Sequence, residues 1–240
     1  MLKLLLTLSM ALSAFVGSLS PAYDKYYSPT DNPTLVDPTN AFIQLSEAES
    51  EEYTNVLSSY TTYFDPTNTN RTTNLRIAMA SIDNIILVPG EEFSYNKALG
   101  QRTYARGYRS AAVFTSGGVA YQLGGGICQI SSQLFNNALE SYMTITQRYY
   151  HGMFVSYVPG GLDATVYWGS QDFRFKNTLD VPVVIKAVFY ESGKCVTSIC
   201  TKEPVELPKI EIKVKQSGNS YYTYRYINGV QDYYTYSRYR

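Results

Sequence analysis

The stretch Gly124-Gly125-Gly126-Ile127-Cys128-Gln129-Ile130-Ser131-Ser132-Gln133-Leu134-Phe135-Asn136-Asn137-Ala138 decides how this chain is read. Apolar residues at Ile130, Leu134, Phe135, Ala138 and Tyr142 recur at helical rather than strand spacing, so a helix is predicted to open at or just after Cys128. The unpaired N–H groups and positive dipole end of a first helical turn favour a negative sulfur, and a glycine loop lets a ligand approach the backbone closely. Cys128 is therefore the leading candidate for a reactive group.

Upstream, Thr72-Thr73-Asn74 reads as the cap of a second helix with an apolar stripe at Leu75, Ala78, Met79, Ile82, Ile85 and Ile86, stopped by Val88-Pro89-Gly90. Residues 91–96 and 102–114 read as loop and strand leading into the glycines. Downstream, residues 154–158 and 164–168 are predicted to be short strands, with 173–175 and 181–189 adding two more. Tyr221 to Ile227 and Val230 to Tyr236 flank Asn228-Gly229, the signal of a type I′ hairpin. The fold class expected is α+β: a mainly antiparallel sheet packed by one or two core helices, with a C-terminal β-hairpin. The hairpin and its tail carry eight tyrosines and read as a small surface-binding appendage.

The chain starts Met1-Leu2-Lys3, runs through a short apolar core to Val16 and reaches small residues ending at Ala22, the order of a cleavable secretory signal. An uncleaved anchor is the alternative. Residues 23–55 read as an extended, proline-containing arm, with glutamates at 47–52 in a solvated stretch, 56–190 as the main domain and 191–240 as a C-terminal strand and hairpin extension. Twenty basic side chains balance twenty acidic ones, so no electrostatic case exists for nucleic acid or an anionic membrane surface. Twenty-four tyrosines suit sugar or peptide contacts, but tyrosine is also an ordinary strand former. In an exported protein Cys195 and Cys200 are disulfide candidates, which leaves Cys128 unpaired; the alternative is three buried, inert thiols.

A thiolate that attacks a carbonyl needs a base, an orienting group and a seat for the oxyanion. His151 is the single histidine. It follows the Cys128 helix and is either its base or a turn histidine. Asp163 either satisfies donors of its own turn or orients His151. Gly124, Gly125, Gly126 and Gln129 are the oxyanion and ligand-binding candidates, with Arg102 lining the cleft. Ser131 and Ser132 read as solvent-facing or capping. The glycines are followed by no P-loop lysine, and the spacing of Cys128, His151, Cys195 and Cys200 is not that of a zinc site, so no metal or cofactor is expected.

Arg71-Thr72-Thr73-Asn74, the run 89–96, Gly124 to Ser131, residues 155–159, Asp163-Ala164-Thr165 and the run 172–177 together resemble the VanW family over about residues 56 to 190. That family takes its name from an accessory protein of B-type vancomycin-resistance clusters. The resemblance implies an exported cell-envelope protein of thick-walled bacteria whose partner is peptidoglycan or its stem peptides, with no membrane contact beyond an uncleaved signal. Two functions are compatible with it. One is cysteine-dependent acyl transfer or amide hydrolysis on stem peptides by Cys128, His151 and Asp163. The other is a non-catalytic peptidoglycan or envelope binding module in which Cys128 is merely packed.

Overall fold

The computed structural model describes residues 42–115 and 118–240; the expected signal segment and most of the arm lie outside them. The main sheet is antiparallel, in the order β1 (Asn55–Tyr63), β9 (Lys194–Thr201), β8 (Val183–Tyr190) and β2 (Ile85–Leu87). Helix α2 (Thr69–Ile82) packs on β8, and helix α4 (Cys128–Glu140) packs on β1 and β9. Further elements are a small sheet of β3 (Glu92–Ser94), β7 (Arg174–Lys176) and β6 (Thr144–Gln147), the short helix α3 (Tyr95–Leu99) and a hairpin of β4 (Ser110–Thr115) and β5 (Gly118–Leu123). Leu75, Met79, Ile82, Ile130, Leu134, Phe135, Phe173, Ile185 and Ile199 belong to one buried cluster, so both helices and the main sheet share a core.

Helix α4 begins at Cys128, as its apolar period predicts, but it is buried on nearly every side. Its polar residues therefore need partners inside the protein. Gln129, Gln133, Asn137 and Ser141, four residues apart, form a stripe facing the edge strand β1 and its neighbour β9. Their side chains meet the Thr62 hydroxyl (2.6 Å), the Tyr60 and Cys195 carbonyls (3.1 and 2.8 Å), the Thr197 hydroxyl (2.8 Å) and the Ser58 hydroxyl (2.5 Å) respectively. The helix is thus held to β1 and β9 by hydrogen bonds as well as by apolar contact.

Several local expectations change. Helix α2 starts a turn earlier than predicted, capped by Asn68, whose side chain accepts from the Arg71 N–H. Asn74 is instead buried inside the helix. It donates to the Arg109 and Gly125 carbonyls and accepts from the Arg109 N–H, which pins the glycine turn to α2. Ile85 and Ile86 lie in β2, because Asp83 is already extended (ψ 139°) and the left-handed Asn84 (φ 60°) turns the chain into the strand. Residues 154–158 and 164–168 form no regular strands; only isolated bridges, Tyr149 to Thr165 and Tyr167 to Gln171, occur there.

Packing also extends the domain toward the N-terminus. Phe42 and Leu45 are buried, and Phe42 stacks on Phe93 at 5.3 Å. The acidic stretch is not simply solvated, because Ser46 and Glu49 form a reciprocal capping box on the short helix α1 (Glu47–Ser50). The Cys195–Cys200 disulfide does not form. Both thiols are free and buried within β9, and five residues of extended strand separate their Cα atoms by roughly 16 Å, far beyond the reach of an S–S bond.

The predicted hairpin is present as β11 (Ser220–Ile227) and β12 (Val230–Arg238), with Asn228 and Gly229 both at positive φ, and it gains a third strand, β10 (Ile210–Ser217). It is packed on the domain rather than standing apart from it. Arg225 donates to the Ala138, Leu139 and Met143 carbonyls at the C-terminal end of α4, and Thr223 donates to the Gly161 carbonyl.

Candidate active site

The N-terminus of α4 opens into a cleft of about 1040 Å³ lined by Cys128, His151, Tyr157, Thr165, Arg71 and Arg102 among others, with Tyr63, Tyr167 and Trp168 exposed along it. Three polar side chains of α4 suspend the loop that carries Asp163. Ser131 donates to the Ala164 carbonyl (2.6 Å), Ser132 accepts from the Ala164 N–H (2.9 Å) and Asn136 donates to the Leu162 carbonyl (2.9 Å). Ser131 and Ser132 are therefore buried supports, not the solvent-facing residues that their position suggested. The same bonds consume backbone groups that a strand at 164–168 would have needed.

Asp163 is fully buried and bonds to groups distant in the chain rather than to its own turn. Its Oδ2 accepts from the His151 backbone N–H (2.7 Å) and lies 2.6 Å from His151 Nδ1. Its Oδ1 accepts from Arg148 (2.9 Å) and from the Tyr239 hydroxyl (2.5 Å). Burial opposes the charge on this carboxylate, but the bond from His151 and the Arg148 guanidinium hold its pKa below the ordinary value. Nδ1 of His151 is thereby committed to Asp163, which leaves Nε2 for chemistry.

Cys128 is half-buried, with its Sγ 3.6 Å from the Thr165 hydroxyl and 3.7 Å from the Val166 carbonyl. Cys128 and His151 line the same cleft, close enough for each to shift the other's charge. Burial is the largest influence on each group and disfavours charge on both. On the thiol the histidine outweighs it, helped by Val166 and Thr165; on the imidazole the Asp163 carboxylate outweighs it, helped by the thiolate. The thiol comes down to about 7 and the imidazole goes up to about 9. Between those values the pair is a thiolate beside an imidazolium, a nucleophile with its proton donor already charged. The Tyr157 hydroxyl, 3.4 Å from His151 Nε2, closes the pair from one side.

Of the glycines expected to form an oxyanion seat, Gly124 and Gly125 have their N–H groups committed elsewhere. The N–H groups of Gly124 and Gly125 donate to the Arg109 and Gln122 carbonyls, and those of Ile127 and Gln129 donate back into the turn. Among the described residues, the N–H groups of Gly126 and Cys128 donate to no backbone carbonyl, and these two remain for an oxyanion. A Cβ on Gly125 would lie 2.4 Å from the Ala111 carbonyl oxygen, so the turn can sit on β4 only without a side chain. Gln129 is also withdrawn from ligand binding. It is fully buried, its Nε2 donates to Thr62 and Tyr63, and its Oε1 accepts from Arg71 at 2.5 Å. Arg102 does line the cleft. Arg71, Arg148, Tyr157 and Tyr239 were not singled out from the sequence as site residues. Arg148 and Arg71 lie in segments already notable beside His151 and in the family-like motif, whereas nothing local marks Tyr239.

Among the described residues no group of three or more His, Cys, Asp or Glu is placed to hold a metal ion, and no helix is long and apolar enough to cross a membrane. What the fold and cleft define is an α+β domain that brings a cysteine at a helix start together with a histidine and a buried aspartate. The chain belongs to the VanW family: the family model described as "VanW like protein" matches residues 70–200. It is 39% identical over 182 residues to the uncharacterized protein YoaR of Bacillus subtilis (strain 168), a match covering 71% of this chain and 60% of that protein. It is 28% identical over 161 residues to the vancomycin B-type resistance protein VanW of Enterococcus faecalis (strain ATCC 700802 / V583), covering 63% and 58%. The chain thus spans about three fifths of the length of these relatives. No solved structure matches it.

Proposed function

We propose that this protein is an exported cell-envelope enzyme that uses Cys128 for acyl transfer or amide hydrolysis on the stem peptides of peptidoglycan. The observation that carries the reading is the placement of Cys128 and His151 in the wall of one open cleft, with His151 Nδ1 held 2.6 Å from the buried Asp163 carboxylate. A cysteine that only fills space in a binding module needs no such partner, whereas a thiol lowered by a histidine in a cleft is the pattern of functional sites. Family membership supports the envelope setting. The relative named for vancomycin resistance directs attention to cell-wall chemistry.

The thiolate of Cys128 attacks an amide carbonyl, an S–C bond forms, and the resulting oxyanion meets the N–H groups of Cys128 and Gly126. His151 delivers its proton to the departing amine as the C–N bond breaks, leaving a thioester on Cys128. An acceptor amine or water then attacks the thioester while His151 takes up its proton, and the thiolate departs. Asp163 keeps the imidazole in the tautomer this exchange needs and stabilises its charged form.

The test is incubation of the purified, reduced protein with muropeptides, followed by mass spectrometry of both partners. New or shortened muropeptides, or an acyl adduct on Cys128, are expected, together with their loss in Cys128→Ser. Unchanged muropeptides, combined with a Cys128→Ser protein that keeps its biological activity, would sink the enzymatic reading in favour of a binding module.

A further inference from the structure

Building on the acyl-transfer reading of the cleft, we propose that its substrates carry a free carboxylate, which is received by Arg102 with Arg71 beside it. Arg102 donates through Nη1 to the Gly100 carbonyl, and its guanidinium lies 5.8 Å over the Trp168 ring. Its Nη2 is buried and has no hydrogen-bond partner. A buried charged donor left unpaired is costly, and such positions are held where a ligand completes them. The second guanidinium, Arg71, donates to the neutral Gln129 carboxamide. Among the described residues neither arginine forms an ion pair, in contrast to Arg148 and Arg174, whose carboxylate partners are 2.9 and 2.8 Å away.

The glycine turn is shaped around these two side chains. A Cβ on Gly124 would lie 2.7 Å from Arg102 Cγ, and one on Gly126 would lie 2.7 Å from Arg71 Cγ. The glycines that deliver Cys128 therefore also let an arginine stem pass on either side of it. Charge in the cleft is unbalanced as a result. Asp163 is committed to His151 and Arg148, and the acidic residue lining the cleft, Asp65, is exposed and already bonded to Thr67. A carboxylate is the group whose geometry matches a guanidinium fork, so a peptide with a free carboxylate near the attacked carbonyl fits where a neutral peptide leaves Nη2 unpaired.

The test needs no natural substrate. Iodoacetate and iodoacetamide both alkylate a thiolate, forming an S–C bond as iodide leaves, and they differ in one carboxylate against one carboxamide. Rates at Cys128, located by peptide mass spectrometry, are measured for the wild type, Arg102→Gln and Arg102→Lys, with free cysteine as reference. The iodoacetate-to-iodoacetamide ratio is expected to exceed that of free cysteine by about tenfold, the lower end of what a focused positive site does to a local anion concentration. It should fall to the free-cysteine level in Arg102→Gln and stay above it in Arg102→Lys. A wild-type ratio equal to that of free cysteine overturns the proposal whatever the variants do, as does an undiminished ratio in Arg102→Gln. A high, Arg102-dependent ratio with inert muropeptides would leave the carboxylate site standing and remove the acyl-transfer reading. Muropeptide turnover with no such ratio would do the reverse.

Discussion

Cys128 and His151 make each other's charge tolerable in a place where burial alone would keep both neutral. The sign of the pH dependence follows from the two directions. Because the thiol is lowered to about 7, alkylation of Cys128 by iodoacetamide should rise through about pH 7, and His151→Ala should move that midpoint up toward the ordinary thiol range. A midpoint that ignores the histidine would refute the ion pair. Because the imidazole is raised to about 9, acyl transfer should fall again above that pH, so kcat/KM against muropeptides should be bell-shaped with limbs near 7 and 9. Asp163→Asn should lower that kcat/KM at least about a hundredfold, since an amide cannot stabilise the imidazolium. A single histidine and a cysteine following three glycines made the first two members of this group legible in the sequence. Arg148 and Tyr239 were not, because their importance lies only in what they touch.

At the scale of elements, α4 and the glycine turn before it do most of the positioning. The apolar period revealed the helix and left Ser131 and Ser132 as solvent-facing or capping, whereas the polar residues of α4 are buried connections to β1, β9 and the loop at 162–164. Ser132→Ala removes an acceptor from the Ala164 N–H and a donor to the Cys128 carbonyl, and should cost about 1–3 kcal/mol of stability in chemical denaturation. Gly125→Ala should cost a similar amount, about 1–3 kcal/mol, because its methyl group has to displace the β4 backbone. An unchanged denaturation midpoint in either variant would contradict these placements. The failure of the strand expectation at 164–168 has the same origin. β-branched and aromatic residues suit a strand, yet the Ala164 backbone bonds to Ser131 and Ser132 of the helix instead of to a neighbouring strand.

Across the whole molecule, the C-terminal sheet is a buttress of the cleft. Thr235, Tyr236 and Ser237 on β12 bond to Arg148, and Tyr239 bonds to Asp163 and to the Gly161 N–H. Tyr239→Phe removes one charge-assisted hydrogen bond from the aspartate and should lower kcat/KM about tenfold while leaving Cys128 in place. Arg225→Ala leaves three carbonyls near the end of α4 and the Asp232 carboxylate without their donor, and should cost about 3 kcal/mol, read as a lower denaturation midpoint. A sheet that merely hung from the domain would tolerate both changes.

What the sequence determined by itself is local: the helix opening at Cys128 from its apolar period, the Asn228-Gly229 hairpin from its turn chemistry, and the α+β class from the mixture of the two. Periodicity and φ preference act over a few residues, so they can be read without knowing what lies across the fold. Only the tertiary structure decided that Cys195 and Cys200 stand apart on one strand, that Gln129 is a strut rather than a ligand donor, and that residues 76 and 12 positions away in the chain share the carboxylate of Asp163. Those outcomes depend on which buried donor finds which acceptor, a constraint set by packing between distant segments. It was that packing which turned three glycines and a cysteine into a charged cleft with an unsatisfied arginine at its edge.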